Sequence, residues 1–243
     1  MPETAAPAES GAPKSLAARA LGVLFSPRAT YADVAAHPRW FGIFLLVVLV
    51  AGGAATVFTA TEVGQRAILD QQLAQAQASN RQMTQQQIDM LERMTPYYKY
   101  FSLPLQALFL GIGSLVISGL VVAVFNAMMG GNASFRQVFS TVIHSGVVLG
   151  VGGLFTLPLD YVRETMTSPT NLMVFLPFLE EDTFPARLFG AIDLFYIWWV
   201  VSLAIGLGVL YKRKTGPIAS TLLGIYVLLA IVIAGVRTAL AGA

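Results

Sequence analysis

The chain has 243 residues, of which 56% are hydrophobic and only 12% are charged, with a formal net charge of +2. Ordinary globular proteins carry about 25% charged residues. This composition excludes a soluble enzyme domain and a disordered chain, and the absence of cysteine excludes a disulfide scaffold. The chain is therefore predicted to be a multi-pass membrane protein.

The first 39 residues precede any apolar stretch long enough to cross a membrane. Residues 1–13 are rich in Ala, Pro, Glu and Ser, which predicts a disordered tail. Residues 14–39 predict a cytoplasmic amphipathic segment of two short helices. On the first helix the apolar side chains share one face, whereas Ser15, Arg19 and Gly22 share the other. We expect the basic residues to face anionic lipid, so that the segment either anchors the chain or docks a partner.

Five long stretches of the sequence are almost free of charge. A bilayer core of about 30 Å requires about 20 apolar helical residues, and lipid cannot satisfy free backbone amides. The predicted spans are residues 40–61, 103–129, 137–159, 188–211 and 215–236. The predicted fold is an all-α polytopic bundle of five transmembrane helices, with a membrane domain over residues 40–238. A shorter stretch at 165–179 carries two prolines and predicts an interfacial or re-entrant segment.

Residues 62–102 form a long glutamine-rich insertion between the first two spans. Thr84 and Gln87 have the spacing of a capping box, which predicts the start of a helix. The insertion is predicted to be a helical hairpin packed on the outer surface. Its second helix carries one apolar face, formed by Met83, Ile88, Met90, Leu91 and Met94. This face is interpreted as a packing surface, with a partner surface or thioether copper ligation as alternatives.

The distribution of basic residues predicts the orientation of the bundle. With the N-terminus in the cytoplasm, the inner segments hold eight basic and three acidic residues, and the outer segments hold seven and ten. Cytoplasmic loops carry an excess of Lys and Arg, and the tight turn at 212–214, Lys-Arg-Lys, is the strongest single indication. Five spans then place the C-terminus outside. The predicted location is the cytoplasmic (inner) membrane of a bacterium.

Few side chains in the sequence carry catalytic or metal-binding chemistry. The chain has no cysteine and two histidines, so that neither a zinc site nor a thiol site is expected. No nucleophile-elbow, zinc-protease or phosphate-loop motif is present. We therefore expect no enzyme activity, no cofactor and no metal. The net charge reflects orientation in the membrane, and no nucleic-acid partner is expected.

Three polar side chains fall inside the predicted spans and are the candidate site residues. Asn126 lies near the cytoplasmic end of the second span, and His144 lies on the third at a similar depth, so that the two are able to bond each other. Asp193 lies six residues after Arg187 on the fourth span, within reach of an arginine. Polar groups within a membrane mark either an ion path or interhelical hydrogen bonds.

Three segments of the chain resemble a known family. They are residues 25–40 (FSPRATYADVAAHPRW), 130–140 (GGNASFRQVFS) and 192–198 (IDLFYIW). Their order and spacing are similar to those of bacterial Yip-domain proteins, the Ypt/Rab-interacting-protein-like multi-pass membrane proteins. The resemblance implies five spans and a cytoplasmic N-terminus. Eukaryotic relatives interact with prenylated Rab GTPases and carry an acidic motif before the first span. This chain lacks that motif and has a basic N-terminal segment instead, so Rab binding is not expected.

Two functional hypotheses follow from the sequence. The first is a non-enzymatic membrane organiser or adaptor of the Yip-domain type. Its expected partners are the lipid bilayer and a protein docked on the N-terminal amphipathic segment or on the outer loop. A homo-oligomer is also compatible with the sequence. The alternative is a small transporter or permease component with Asn126, His144 and Asp193 along an intramembrane polar path.

Overall fold

A computed structural model describes residues 12–78, 82–180 and 183–241, and this part of the chain forms helices without a β-strand. The predicted all-α class is therefore confirmed. Of the predicted disordered tail, residues 1–11 lie outside the described residues.

The structure begins with two short antiparallel helices, which we call the N-terminal hairpin: α1 (Leu16–Phe25) and α2 (Pro27–Ala36). Ser15 caps α1 by accepting a hydrogen bond from the Ala18 amide. Proline at the first position of α2 has no amide that would need a partner there. The two helices predicted for this segment are present.

The first long apolar helix follows the hairpin. It comprises α3 (Phe41–Val47), one π-helical turn (Val48–Gly52) and α4 (Gly53–Ala60). The outer insertion then forms α5 (Glu62–Ala78) and α6 (Gln85–Met94). The Thr84–Gln87 capping box is confirmed, with the Thr84 hydroxyl bonded to the Gln87 amide and the Gln87 side chain bonded to the Thr84 amide.

The next two helices run in opposite directions and are joined by a short loop at 129–134. The first is α7 (Tyr98–Val122), which continues through a π-helical segment (Ala123–Met128). It starts before the predicted residue 103, because a 3-10 turn at Thr95–Tyr97 already initiates it. The second is α8 (Phe135–Ser145), followed after Gly146 by α9 (Val147–Arg163).

The last three helices are α10 (Phe184–Gly190), α11 (Leu194–Leu210) and α12 (Thr215–Ala241). The prediction of one helix over residues 188–211 is wrong, since the chain is not helical between the end of α10 and the start of α11. The reason is that the Asp193 side chain accepts hydrogen bonds from the Phe195 and Tyr196 amides and so begins a new helix.

Within the described residues, four helical stretches are long and apolar enough to cross a membrane. They are Phe41–Ala60, Gln85–Met128, Phe135–Arg163 and Thr215–Leu240. Helix α11 is also apolar but has only 17 residues. These helices are those of a multi-pass membrane protein. The count of five spans stays a prediction.

Two apolar clusters hold the bundle together. One joins α7, α8, α11 and α12 around Val138, Val142 and Leu207. The other joins the N-terminal hairpin to α3, α8 and α9 around Val23, Tyr31 and Ile143. The hairpin is therefore part of the core, in contrast to a helix pair that merely lies on a membrane surface.

Candidate functional site

The N-terminal hairpin buries part of the face of α1 that the sequence analysis described as polar. Helix α1 buries Arg19, Gly22 and Val23. By contrast, Leu21 is 59% exposed and Phe25 is 82% exposed. The expectation that the basic residues of this helix face anionic lipid is therefore wrong for Arg19, because its charge is neutralised inside the bundle.

The partner of Arg19 is Asp33 on α2. Its Nε lies 2.8 Å from Asp33 Oδ2, and the arginine side chain is only 3% exposed. The same carboxylate accepts a hydrogen bond from the Lys14 amide at 3.2 Å and lies 3.5 Å from the imidazole Nδ1 of His37. Arg19 Nη1 also donates to the carbonyl of Arg39. This charged cluster ties both ends of the hairpin together, and a buried charge without its partner would be strongly destabilising.

Glycines allow the close packing of the hairpin. A Cβ at Gly22 would collide with the hydroxyl of Thr30, so the two helices of the hairpin approach each other only because Gly22 has no side chain. On α11, a Cβ at Gly206 would lie 2.6 Å from Thr141 and 2.9 Å from the ring of Tyr31. The bundle therefore holds α2 against α8 and α11 at a distance that no larger residue permits.

Tyr31 forms the polar contact between the hairpin and α11. Its ring is buried, and a 2.7 Å hydrogen bond joins its hydroxyl to the Ser202 hydroxyl. Burial raises the pKa of the Tyr31 phenol above its ordinary value, and the hydrogen bond with Ser202 offsets only part of this change. The phenol is therefore neutral, and it serves as a fixed hydrogen-bonding group.

Two side chains in the first turn of α8 donate hydrogen bonds to backbone carbonyls at the C-terminal end of the hairpin. Gln137 Nε2 donates to the Ala35 carbonyl at 2.9 Å, and Arg136 Nε donates to the Pro38 carbonyl at 3.1 Å. The first contact satisfies a carbonyl group that the end of α2 leaves without a helical partner, and the second satisfies a carbonyl of the segment that follows α2. As a result, residues from two of the family-like segments, 25–40 and 130–140, contact each other directly.

His144, one of the three predicted site residues, is fully buried on α8. Its Nδ1 lies 2.6 Å from the Ser140 carbonyl, one turn earlier on the same helix. Its Nε2 has no hydrogen-bond partner among the described residues. Next to it, Ser145 accepts a 3.0 Å hydrogen bond from the Trp199 indole. His144 is thus bonded within its own helix, and the polar contact between α8 and α11 is made by its neighbour Ser145.

Asn126 connects two loops at one end of the bundle. Its Nδ2 donates to the Ala133 carbonyl at 2.8 Å, and its Oδ1 accepts from the Tyr211 hydroxyl at 2.9 Å. The ring of Tyr211 stacks on Phe125 at 4.6 Å between centroids. Both functional groups of the amide are used in closing the structure, which is the role of an interhelical hydrogen bond.

Asp193 is the centre of a second polar network. Besides capping α11, its carboxylate accepts hydrogen bonds from the hydroxyls of Ser168 at 2.5 Å and Thr170 at 2.6 Å. Its amide donates to the hydroxyl of Tyr226, which lies near the middle of α12. These bonds attach the segment predicted to be re-entrant, 165–179, to the break between α10 and α11.

The three predicted site residues do not form one site. Each has its own partners, and no hydrogen bond among the described residues joins Asn126, His144 or Asp193 to one another. The suggested bond between Asn126 and His144 is not formed; the Asn126 amide is bonded to Ala133 and Tyr211, and His144 Nδ1 is bonded to the Ser140 carbonyl. The carboxylate of Asp193 is bonded to hydroxyl and amide groups. Among the described residues, no group of three acidic or histidine side chains is placed to hold a metal ion.

The sequence analysis missed Arg19 and Asp33 as a pair. A helical projection treats α1 alone, and in that projection Arg19 belongs to a polar face. A usable signal was nevertheless present, because Gly22, on the same face of α1 as Arg19, indicates a close approach to another helix. A charged residue beside such a contact requires an opposite charge, which α2 carries.

Comparison with known proteins assigns the fold to a family. The model of the Yip1 domain matches residues 21–236, nearly the whole chain. No curated protein and no solved structure matches the chain. The matched range includes α2, every long apolar helix and the Asp193 network.

Proposed function

Because the chain belongs to the Yip1 domain family, whose members are generally non-enzymatic membrane proteins, we propose that it acts as a membrane organiser or adaptor. In this role the N-terminal hairpin presents a fixed surface to a partner protein or to the lipid of the cytoplasmic leaflet. The bundle supplies the support on which that surface is held. The protein is proposed to reside in a bacterial cytoplasmic membrane.

The proposal includes five crossings, in which α10 and α11 together form the fourth. Support comes from the two ends of this helix pair. Arg213 Nη2 donates to the Met129 carbonyl at 2.9 Å, so the turn after α11 lies beside the loop that precedes α8. Arg187 Nη1 donates to the Arg237 carbonyl at 2.8 Å, near the far end of α12. Helices α8 and α9 lead the chain away from the 129–134 loop. The chain must therefore cross the bundle again before Arg213 can reach Met129.

The proposed orientation has the N-terminus in the cytoplasm and the C-terminus outside. The turn at 212–214, the loop at 129–134 and the hairpin then share the cytoplasmic side, where basic residues concentrate. Because the chain has no cysteine, single cysteines can test this arrangement by labelling from each side. Asn132→Cys and Lys214→Cys should react from the cytoplasm, and Glu92→Cys and Glu164→Cys from outside. Labelling of Asn132→Cys and Lys214→Cys from opposite sides would contradict five crossings, and labelling of both from the outer side would contradict the orientation.

The observation that carries the organiser role is the docked hairpin itself. The charge of Arg19 is buried against Asp33, whereas three large apolar side chains, Leu16, Leu21 and Phe25, remain exposed. Exposed apolar side chains held on a rigid support are a typical feature of an interaction surface. No rearrangement is needed to present them.

The experiment compares partner retention after changes on two exposed surfaces. The full chain, a Leu21→Ser/Phe25→Ser variant and a Met90→Ser/Met94→Ser control are cross-linked in native membranes and purified quantitatively. An adaptor loses a stoichiometric partner only in the hairpin variant. If the hairpin contacts lipid, that variant instead shows reduced labelling by a photoactivatable phospholipid.

Both results support a role for the hairpin surface, and they separate a protein partner from lipid. Equal behaviour of all three proteins in both measurements would contradict the proposal. The melting temperature of each variant serves as the folding control. Exposed residues are changed, so little loss of stability is expected.

A further inference from the structure

An apolar crevice opens beside the first turns of α3 and α8. Its volume is about 450 Å³, within the range of about 300–1,000 Å³ that is common for ligand sites. The residues that form its walls and opening include Trp40, Phe44, Gly111, Phe135, Arg136 and Phe139. Three candidate membrane helices contribute to it, and its lining residues Phe41, Leu115 and Phe135 are 45–62% exposed, so it opens on the outer surface of the bundle.

The walls of the crevice are rigid because their aromatic rings pack on one another. Trp40 meets Phe139 edge to face at 5.1 Å between centroids and Phe44 at 6.1 Å. Phe135 stacks on Phe139 at 6.0 Å. Such pairs contribute beyond the area that they bury. The crevice is therefore a formed cavity and is not the result of loosely placed side chains.

The width of the crevice depends on a glycine of α7. A Cβ at Gly111 would lie 3.9 Å from the nearest atoms, which belong to the ring of Phe44. There is thus room for a side chain, and the sequence leaves the space empty. A larger apolar residue at this position would fill the crevice without forcing the helices apart.

Of the residues that the structure describes, Arg136 is the only charged side chain that lines the crevice. Its Nε is used by the Pro38 carbonyl, which fixes the guanidinium while its two terminal nitrogens remain available. Among the described residues, no acidic side chain forms an ion pair with it. It also lies in the first turn of α8, the end of a helix that attracts anions.

We propose that this crevice binds one acyl chain of an anionic phospholipid, with the phosphate group held by Arg136. The apolar walls match a hydrocarbon chain, and the single cation at the opening matches one negative headgroup. Basic pockets between membrane helices at the cytoplasmic surface are suited to anionic headgroups. The inference does not depend on the organiser role, since a lipid site is equally compatible with any function of the bundle.

The experiment uses the full chain purified in detergent and phospholipids brominated on their acyl chains. Bromine quenches tryptophan fluorescence at contact. The contribution of Trp40 to the quenched fluorescence is obtained by comparison with the Trp40→Phe variant. Brominated phosphatidylglycerol should quench this contribution more strongly than phosphatidylcholine with the same chains. Unbrominated phosphatidylglycerol should reverse the quenching.

Two variants test the two halves of the site. Arg136→Gln should weaken the binding of phosphatidylglycerol about fivefold, the ratio that corresponds to one interfacial arginine. It should leave phosphatidylcholine unchanged. The matched control is Arg213→Gln, which removes another arginine that donates to a backbone carbonyl at the same end of the bundle. Gly111→Leu should abolish the quenching of Trp40 by both lipids while the melting temperature is retained.

Several results would overturn the inference. Equal quenching by the two lipids, or an equal effect of Arg136→Gln and Arg213→Gln, would mean that the crevice does not recognise an anionic headgroup. Unchanged quenching in Gly111→Leu would mean that the acyl chain lies elsewhere. A dimer that dissociates in Gly111→Leu, without quenching in the unmodified chain, would identify a second copy of the chain as the occupant.

Discussion

Two helical segments flank the first long apolar helix, and they are stabilised in opposite ways. The N-terminal hairpin buries a charged residue and a glycine, and it joins the core through Val23 and Tyr31. In the outer insertion, helix α6 has a strongly amphipathic sequence but buries none of its residues. Met90, at the centre of its apolar stripe, is 65% exposed. The interpretation of this stripe as a packing surface stays a prediction, because Met83, Ile88 and Leu91 of the same stripe are half-buried.

The difference shows that amphipathicity does not decide which segment is buried. A helix enters a core when its surface fits neighbouring helices and its charges find partners there. Helix α1 meets both conditions, since Gly22 accommodates Thr30 and Asp33 neutralises Arg19. Because α6 buries no residue, its apolar stripe remains available for a partner.

The largest effect is expected from breaking the charged pair of the hairpin. Arg19→Gln leaves the Asp33 carboxylate without its cation, and it should lower the free energy of unfolding by about 3–5 kcal/mol. Arg28→Gln, on an exposed position of the same hairpin, is the matched control and should have little effect. Thermal melting in detergent measures both. In the double variant Arg19→Leu/Asp33→Leu most of the stability should return, since no charge is left unpaired.

The second effect concerns the close contact between the hairpin and α11. Gly206→Ala places a methyl group against Thr141 and Tyr31, and it should destabilise the protein by about 1–3 kcal/mol through overpacking. Gly113→Ala in α7 is the control, because a Cβ there meets nothing within 4 Å. Melting curves of equal midpoint for the two variants would mean that the hairpin is not held against α11 as described.

A smaller effect is expected from the hydroxyl of Tyr31. Tyr31→Phe removes its hydrogen bond to Ser202 and should cost about 0.5–1.5 kcal/mol. Ser202→Ala should cost a similar amount. The double variant should be less destabilised than the sum of the two, because both remove the same bond. Additive losses would argue against a direct bond between them.

The smallest effect is expected on the outer insertion. Met90→Ser should change the free energy of unfolding by less than about 0.5 kcal/mol, because the side chain is exposed. Val23→Ala in the hairpin, which removes buried methyl groups, should cost at least about 1 kcal/mol. A loss of stability in Met90→Ser that equals the loss in Val23→Ala would show that α6 is packed against the bundle.

The helices themselves were accessible from the sequence, but the contacts of the polar residues were not. Apolar length predicted the long helices, and the Thr84–Gln87 capping box was found from spacing alone. The break before α11 was missed because Asp193 was treated as a residue inside a span. It serves as a helix cap instead, since the hydroxyls of Ser168 and Thr170 complete its hydrogen bonding from a distant segment.

For the family-like segments, too, the sequence indicated the family but did not predict the contacts. Their spacing was sufficient to indicate the Yip-domain family, and the match over residues 21–236 confirms it. Their contacts follow only from the folded chain, in which Gln137 reaches the Ala35 carbonyl and Arg136 reaches the Pro38 carbonyl. Residues about 100 positions apart in sequence meet there, and no local pattern encodes such a distance.

The sequence by itself determined that this protein is a helical membrane bundle. Apolar residues without charge must form helices in lipid, because every backbone amide needs an internal partner. Only the tertiary structure decided which face of α1 is buried and where the lipid-facing crevice opens. The reason is that a helical projection describes one helix alone, whereas burial depends on the charge and shape of the neighbours that pack against it.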